Sequence, residues 1–228
     1  MRSPNGRYQD RFVTLVAAIT GGLVVAVLWQ FNQAAGGYEF YLVGNAMALF
    51  FAPMMLIFFV LGEEPAAFGF CIGDSRRLRW ATLVLFAILL VVLVPASRLP
   101  AFQEYYPIFK GWRSFRGGTF VASDMRGLLY GWASYGMYLF FWEFFFRGYL
   151  LFGLARTIRW PAVIIQAIAF GLLHWHKVPL EVPASFVAGI VLGVLALRAR
   201  SFLPCFALHW LASVAFDVLV ILSRPGHA

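Results

Sequence analysis

The chain has 228 residues, 62% of them hydrophobic and 12% charged, with a mean hydropathy of +0.79. Long apolar blocks of this kind exclude an ordinary water-soluble domain, and the absence of short alternating segments excludes a β-barrel. The net charge of +8 would suggest nucleic acid in a soluble protein, but the basic residues lie between apolar blocks, so membrane lipid is the expected partner and nucleic acid is not.

The composition predicts an all-α fold, a polytopic transmembrane helix bundle of about seven crossings in a single membrane domain spanning 1–228. The N-terminus is polar and carries Arg2, Arg7 and Arg11. The apolar run over 12–31 that follows is longer than a signal-peptide core, so it reads as a retained first helix. A second crossing over 40–61 ends at Gly62-Glu63-Glu64-Pro65, which reads as a solvated helix end. A third covers 80–97.

The long segment from Arg98 to Arg126 is too polar to cross. Its aromatics Phe102, Tyr105, Tyr106, Phe109, Trp112 and Phe115 suit a piece lying at headgroup level or re-entering the membrane. The fourth crossing spans 127–154, and the fifth, over 160–177, opens at Trp160-Pro161, a good first-turn position for proline. Pro179 and Pro183 end it, and crossings over 184–199 and 202–222 complete the chain. Arginines 2, 7, 11, 76, 77, 79, 156, 159, 198 and 200 then fall at one end of the bundle. The basic Arg98–Arg126 loop runs against it or hides an interfacial segment, but that asymmetry predicts a cytoplasmic N-terminus; the expected location is multi-pass in a membrane, the bacterial inner membrane ahead of an organellar one. Cys71 and Cys205 are far apart and lack CxxC spacing, so neither a disulfide framework nor a thiolate metal site is expected.

Charged residues inside the fourth crossing set the functional question. Glu143 and Arg147 are four apart and share a helix face. Each costs roughly 2.5–3.5 kcal/mol to insert, so each needs a partner or a purpose. A structural ion pair is one reading and a site is the other. His174 lies near the end of the fifth crossing and His209 in the last. Counted from the Arg-rich end, Glu143 is about 17 Å deep, His174 about 21 Å and His209 about 11 Å. A shared polar cavity would satisfy all of them, although each histidine alone could be a hydrogen-bonded core residue.

An acid and two imidazoles in such a cavity suit amide hydrolysis, with a carboxylate and a histidine activating water and a second histidine stabilising the oxyanion. Zinc is the alternative, since His, His and Glu are ordinary ligands, but no HExxH is present. Ser213 follows His209 by one turn and Asp217 follows by another; either could orient His209 or donate to an oxyanion. His176 sits close to the expected mouth of the cavity. Gly171, Gly189 and Gly193 have the small-residue spacing that lets helices approach closely.

Together, Glu143-x-x-x-Arg147-Gly148, Phe170-x-x-x-His174 and His209-x-x-x-Ser213 resemble the motifs of the CAAX protease and bacteriocin-processing (CPBP, or Abi) intramembrane proteases, which include the type II prenyl endopeptidases. The resemblance covers 138–217. It implies a helical bundle with a glutamate-activated water rather than a metal, in a site opening towards the cytoplasm. It implies that His174 assists the base, that His209 and the residue at 213 hold the oxyanion, and that Arg147 braces the glutamate. The expected substrate is a membrane-anchored or lipidated protein.

The family motif begins Glu-Glu, whereas here it reads Trp142-Glu143, so the position usually assigned to water activation is an indole. The residue at 213, commonly Asn, is Ser. Two readings stay open: a rearranged protease site using Glu143, or a non-catalytic scaffold or assembly subunit that binds an integral-membrane partner complex.

Overall fold

A computed structural model describes residues 4–107, 122–175 and 177–223 of the chain. Its helices, in order, are α1 (Pro4–Ala34), α2 (Tyr38–Leu61), α3 (Ser75–Ala96), α4 (Pro100–Tyr105), α5, α6 (Pro161–Leu172), α7 (Glu181–Ala199) and α8 (Leu203–Leu222). The helix α5 runs as Ala122–Glu143, widens into a π-helical stretch at Phe144–Leu150, and closes as Leu151–Ile158. Among the described residues α1, α2, α3, α5, α7 and α8 are long and apolar enough to cross a bilayer. The result is an all-helical bundle.

The predicted fifth crossing is shorter than expected. At 12 residues, α6 is the short apolar helix of the set, about 18 Å long against a hydrocarbon core of roughly 30 Å. It stops at Leu172, where the amides of His174 and Trp175 bond back to the carbonyls of Gly171 and Leu172. The His174 ring caps the helix end, its Nδ1 lying 2.9 Å from the Phe170 carbonyl. That contact satisfies one of the carbonyls a helix C-terminus leaves without a partner. His174 therefore sits in a turn, not in a helix.

Burial identifies the centre of the bundle. Most of the apolar stretch of α5 is buried and none of that of α3 is. Phe144 to Leu150 are all buried, within the π-helical widening. Such widenings are rare in general, but α2 carries two more, at Met47–Phe51 and Leu56–Leu61, so the widening alone does not mark a site. Gly148 sits under the turn at Pro65–Phe68: a Cβ there would lie 2.9 Å from the Phe68 carbonyl. The 62–74 segment thus folds in over α5, and the Asp74 amide bonds the Ala199 carbonyl at the end of α7 (2.8 Å).

The expected small-residue contact forms between α6 and α7. A Cβ on Gly189 would be 2.9 Å from the Ala167 Cα, and one on Gly193 would be 2.7 Å from Gln166 Nε2. Buried Gln166 uses this closeness to donate to the Gly189 carbonyl at 2.7 Å. Glu63 is part-buried and not simply solvated: Arg156 Nη1 donates to it at 2.7 Å. The Arg98–Arg126 segment contributes α4, whose Phe102, with Tyr106 just beyond, packs on Phe216 of α8. Phe109, Trp112 and Phe115, as well as His176, lie outside the described residues.

Candidate active site

The π-helical stretch of α5, the α6–α7 turn and the first half of α8 bring the predicted polar residues together. Glu143 and Arg147 are fully buried. Arg147 Nη1 donates to Glu143 Oε1 at 3.2 Å, and His209 Nδ1, arriving from α8, reaches the same oxygen at 2.7 Å. The Arg147 guanidinium lies over the Phe170 ring, with its Cζ 3.9 Å from the centroid. A cation stacked on an aromatic face in a dry site gains from the ring quadrupole.

The Phe170 ring is the common wall. The His174 ring lies 4.5 Å from it and the His209 ring 6.2 Å, centroid to centroid. Trp142 packs edge-on to both Phe170 (5.8 Å) and His174 (5.7 Å). No hydrogen bond joins Glu143 to His174. Burial first, then the Lys177 ammonium, pushes His174 well below the ordinary imidazole range, so its ring is neutral near pH 7.

Among the described residues, four buried polar atoms here make no hydrogen bond: Glu143 Oε2, Arg147 Nε and Nη2, and Trp142 Nε1. Buried polar atoms in native structures nearly always have a partner in protein or water. Ordered water or a polar ligand group would satisfy them.

Ser213 and Asp217 are placed differently. Asp217 accepts from Trp132 Nε1 at 3.1 Å. Ser213 lines, with Asp217 and Trp132, a cavity of only about 10 Å³. Among the described residues no group of three or more His, Cys, Asp or Glu is arranged to hold a metal ion.

Sequence reasoning passed over a second polar group beside His174. Glu181, the first residue of α7, accepts from Tyr106 Oη at 2.8 Å and pairs with Lys177 Nζ at 3.3 Å. Its Oε1 lies 3.9 Å from His174 Nε2. Lys177 also lines a cavity of about 450 Å³, with Tyr41, Tyr105, Tyr135 and Leu173 among its walls. The Lys177–Glu181 spacing of four was the available signal.

Residues 128–215 match the family model described as type II CAAX prenyl endopeptidase Rce1-like. This prenyl-endopeptidase-like region begins in α5, ends in α8 and contains Glu143, Arg147, Phe170, His174, His209 and Ser213. The match supports an intramembrane-protease kind of function, and with the six apolar helices it makes the chain an integral, multi-pass membrane protein. Contact with membrane lipid follows. No curated protein and no solved structure gives a significant match to the chain.

Proposed function

We propose that the chain is an intramembrane endopeptidase that hydrolyses a peptide bond in a membrane-anchored or lipidated protein. One observation carries this reading. His174 and His209 flank one Phe170 ring beside a buried acid, and polar atoms of Glu143, Arg147 and Trp142 there find no hydrogen-bond partner among the described residues. Water is the nucleophile. Its oxygen bonds to the substrate carbonyl carbon while neutral His174 and a carboxylate draw off its proton. The carbon–nitrogen bond then breaks, and that proton passes to the leaving nitrogen.

Glu143 Oε1 is engaged by Arg147 and by His209. Its role in this reading is to hold His209 so that the ring presents its Nε2 edge to the oxyanion. Preorganised donors of this kind are worth about 100- to 1,000-fold in rate. Arg147 braces Glu143, Phe170 braces Arg147, and Asp217 acts at one remove by fixing Trp132. Ser213 is proposed only as a wall of the neighbouring small cavity. The protease uses no metal cofactor.

The test is cleavage of membrane-anchored peptides by the purified protein in lipid vesicles. Cleavage that survives a chelator and falls at least about 100-fold in Glu143→Gln is the expected outcome. Chelator-sensitive cleavage restored by zinc would replace the metal-free mechanism with the zinc alternative. A folded wild-type protein that cleaves none of a broad peptide panel would overturn the peptidase reading.

A second reading has its own support. Trp142 is buried where the family motif places a glutamate, and it contributes packing to Tyr138, Phe146 and Phe170. A non-catalytic scaffold would co-purify at fixed stoichiometry with an integral-membrane partner complex and show no turnover.

A further inference from the structure

Resting on the peptidase reading, the surroundings of His174 identify the carboxylate that would activate its water. The Phe170 carbonyl can only accept, so neutral His174 donates from Nδ1 at 2.9 Å and carries its lone pair on Nε2. Nε2 faces Glu181 Oε1 across 3.9 Å. A lone pair and a carboxylate cannot bond each other. One water can donate a hydrogen to each, because two bonds of about 2.8 Å span that gap comfortably.

Glu181 is fixed for such a task. It begins α7, where the helix dipole favours a carboxylate. Tyr106 Oη donates to Oε2 at 2.8 Å, and Lys177 Nζ lies 3.3 Å from Oε1. The α5 side of His174 is meanwhile occupied by the Trp142 indole. Lys177, which holds the carboxylate, also lines the 450 Å³ cavity. That volume lies in the range of pockets that enclose a ligand, and here the ligand would be a short peptide segment.

We propose that Glu181, projecting from α7, is the water-activating carboxylate of this chain and performs with His174 the work that the family resemblance gives to position 142. The water held between Glu181 Oε1 and His174 Nε2 attacks the peptide carbonyl carbon. Its departing proton rests on this pair. When the tetrahedral intermediate collapses, the carbon–nitrogen bond breaks and the same proton is delivered to the amine. The remaining hydroxyl completes the new carboxyl group.

The experiment measures kcat and KM for a cleaved peptide in vesicles, with helicity and thermal stability monitored in parallel. Glu181→Gln should lower kcat at least about 100-fold with KM within about twofold, and Glu181→Asp should recover part of that loss. Tyr106→Phe keeps the carboxylate but removes one hydrogen bond to its charged form. It should lower kcat several-fold with KM within about twofold. Wild-type cleavage matched by a folded Glu181→Gln overturns the role of Glu181 and leaves the peptidase reading standing. Should Glu181→Gln fail to fold, an unchanged kcat in Tyr106→Phe overturns it instead. Absence of wild-type cleavage overturns both.

Discussion

At the scale of single residues, the buried Glu143–Arg147 pair is the least replaceable feature. Two charges out of water are tolerable only when each compensates the other, and removing one strands its partner. Arg147→Met should therefore cost about 3–5 kcal/mol, read as a lower unfolding midpoint in detergent. Arg147→Lys should recover little of it. An ammonium lacks the flat face that lies 3.9 Å from the Phe170 centroid and the fork that reaches Glu143. Unchanged stability in Arg147→Met would show that the pair is not the anchor of α5. The Glu63–Arg156 pair is a weaker contrast. Its hydrogen bond to Arg156 holds the Glu63 carboxyl below its ordinary value of 4.5. The stabilisation is complete above that value and is lost as pH falls through the lower folded value. Because the pair is partly exposed, acid titration of Glu63→Gln against wild type should differ by under about 1 kcal/mol.

At the scale of elements, the contact between α6 and α7 decides whether His174 and Glu181 meet. The turn that carries His174 and the start of α7 that carries Glu181 are placed by this one packing surface. Gly189 stands 2.9 Å, measured from an added Cβ, from a backbone carbon of Ala167, which cannot swing aside as a side chain can. Gly189→Leu should push the helices apart, break the Gln166 bond to the Gly189 carbonyl, and destabilise by about 1–3 kcal/mol. It should also abolish cleavage without touching an acid or imidazole. Retained stability and activity would mean that the α6–α7 surface does not position the site.

At the scale of the whole molecule, the two ends differ in charge. One end gathers Arg7, Arg156 and Arg159 around a cavity with Asp10 and Glu63. The other carries Lys177 and the tyrosine-lined cavity beside Glu181. Applied to the first end, and setting aside Arg98 and Arg126 at the other, the positive-inside rule would put the first end in the cytoplasm and the mouth of the tyrosine-lined cavity on the opposite face. The family resemblance implies a cytoplasmic opening, so the two arguments diverge. Membrane-impermeant thiol labelling of a Cys71→Ser background decides between them. Leu180→Cys should label from outside intact cells and Glu64→Cys only after lysis, both being exposed positions at opposite ends. The reverse pattern would invert the orientation and restore a cytoplasmic mouth.

Much of the fold was legible in the chain itself. Apolar blocks of membrane-spanning length can satisfy their backbone only as helices, so α1, α2, α3, α5, α7 and α8 could be placed from hydropathy alone. Gly189 and Gly193 announced a close helix pair for a similarly local reason: a missing Cβ is a property of the residue. Glu143 and Arg147 announced themselves because charge in an apolar run is expensive wherever the run folds. Hydropathy could not show that α6 stops at Leu172, because a turn whose carbonyl is capped by His174 is as apolar in sequence as another helical turn. Nor could spacing show that His209, rather than His174, bonds Glu143, or that His174 faces Glu181. Those pairings join different elements, and their distances are set by how side chains pack between them. Local sequence fixed which segments enter the membrane and which charges need partners; tertiary packing alone chose the partners.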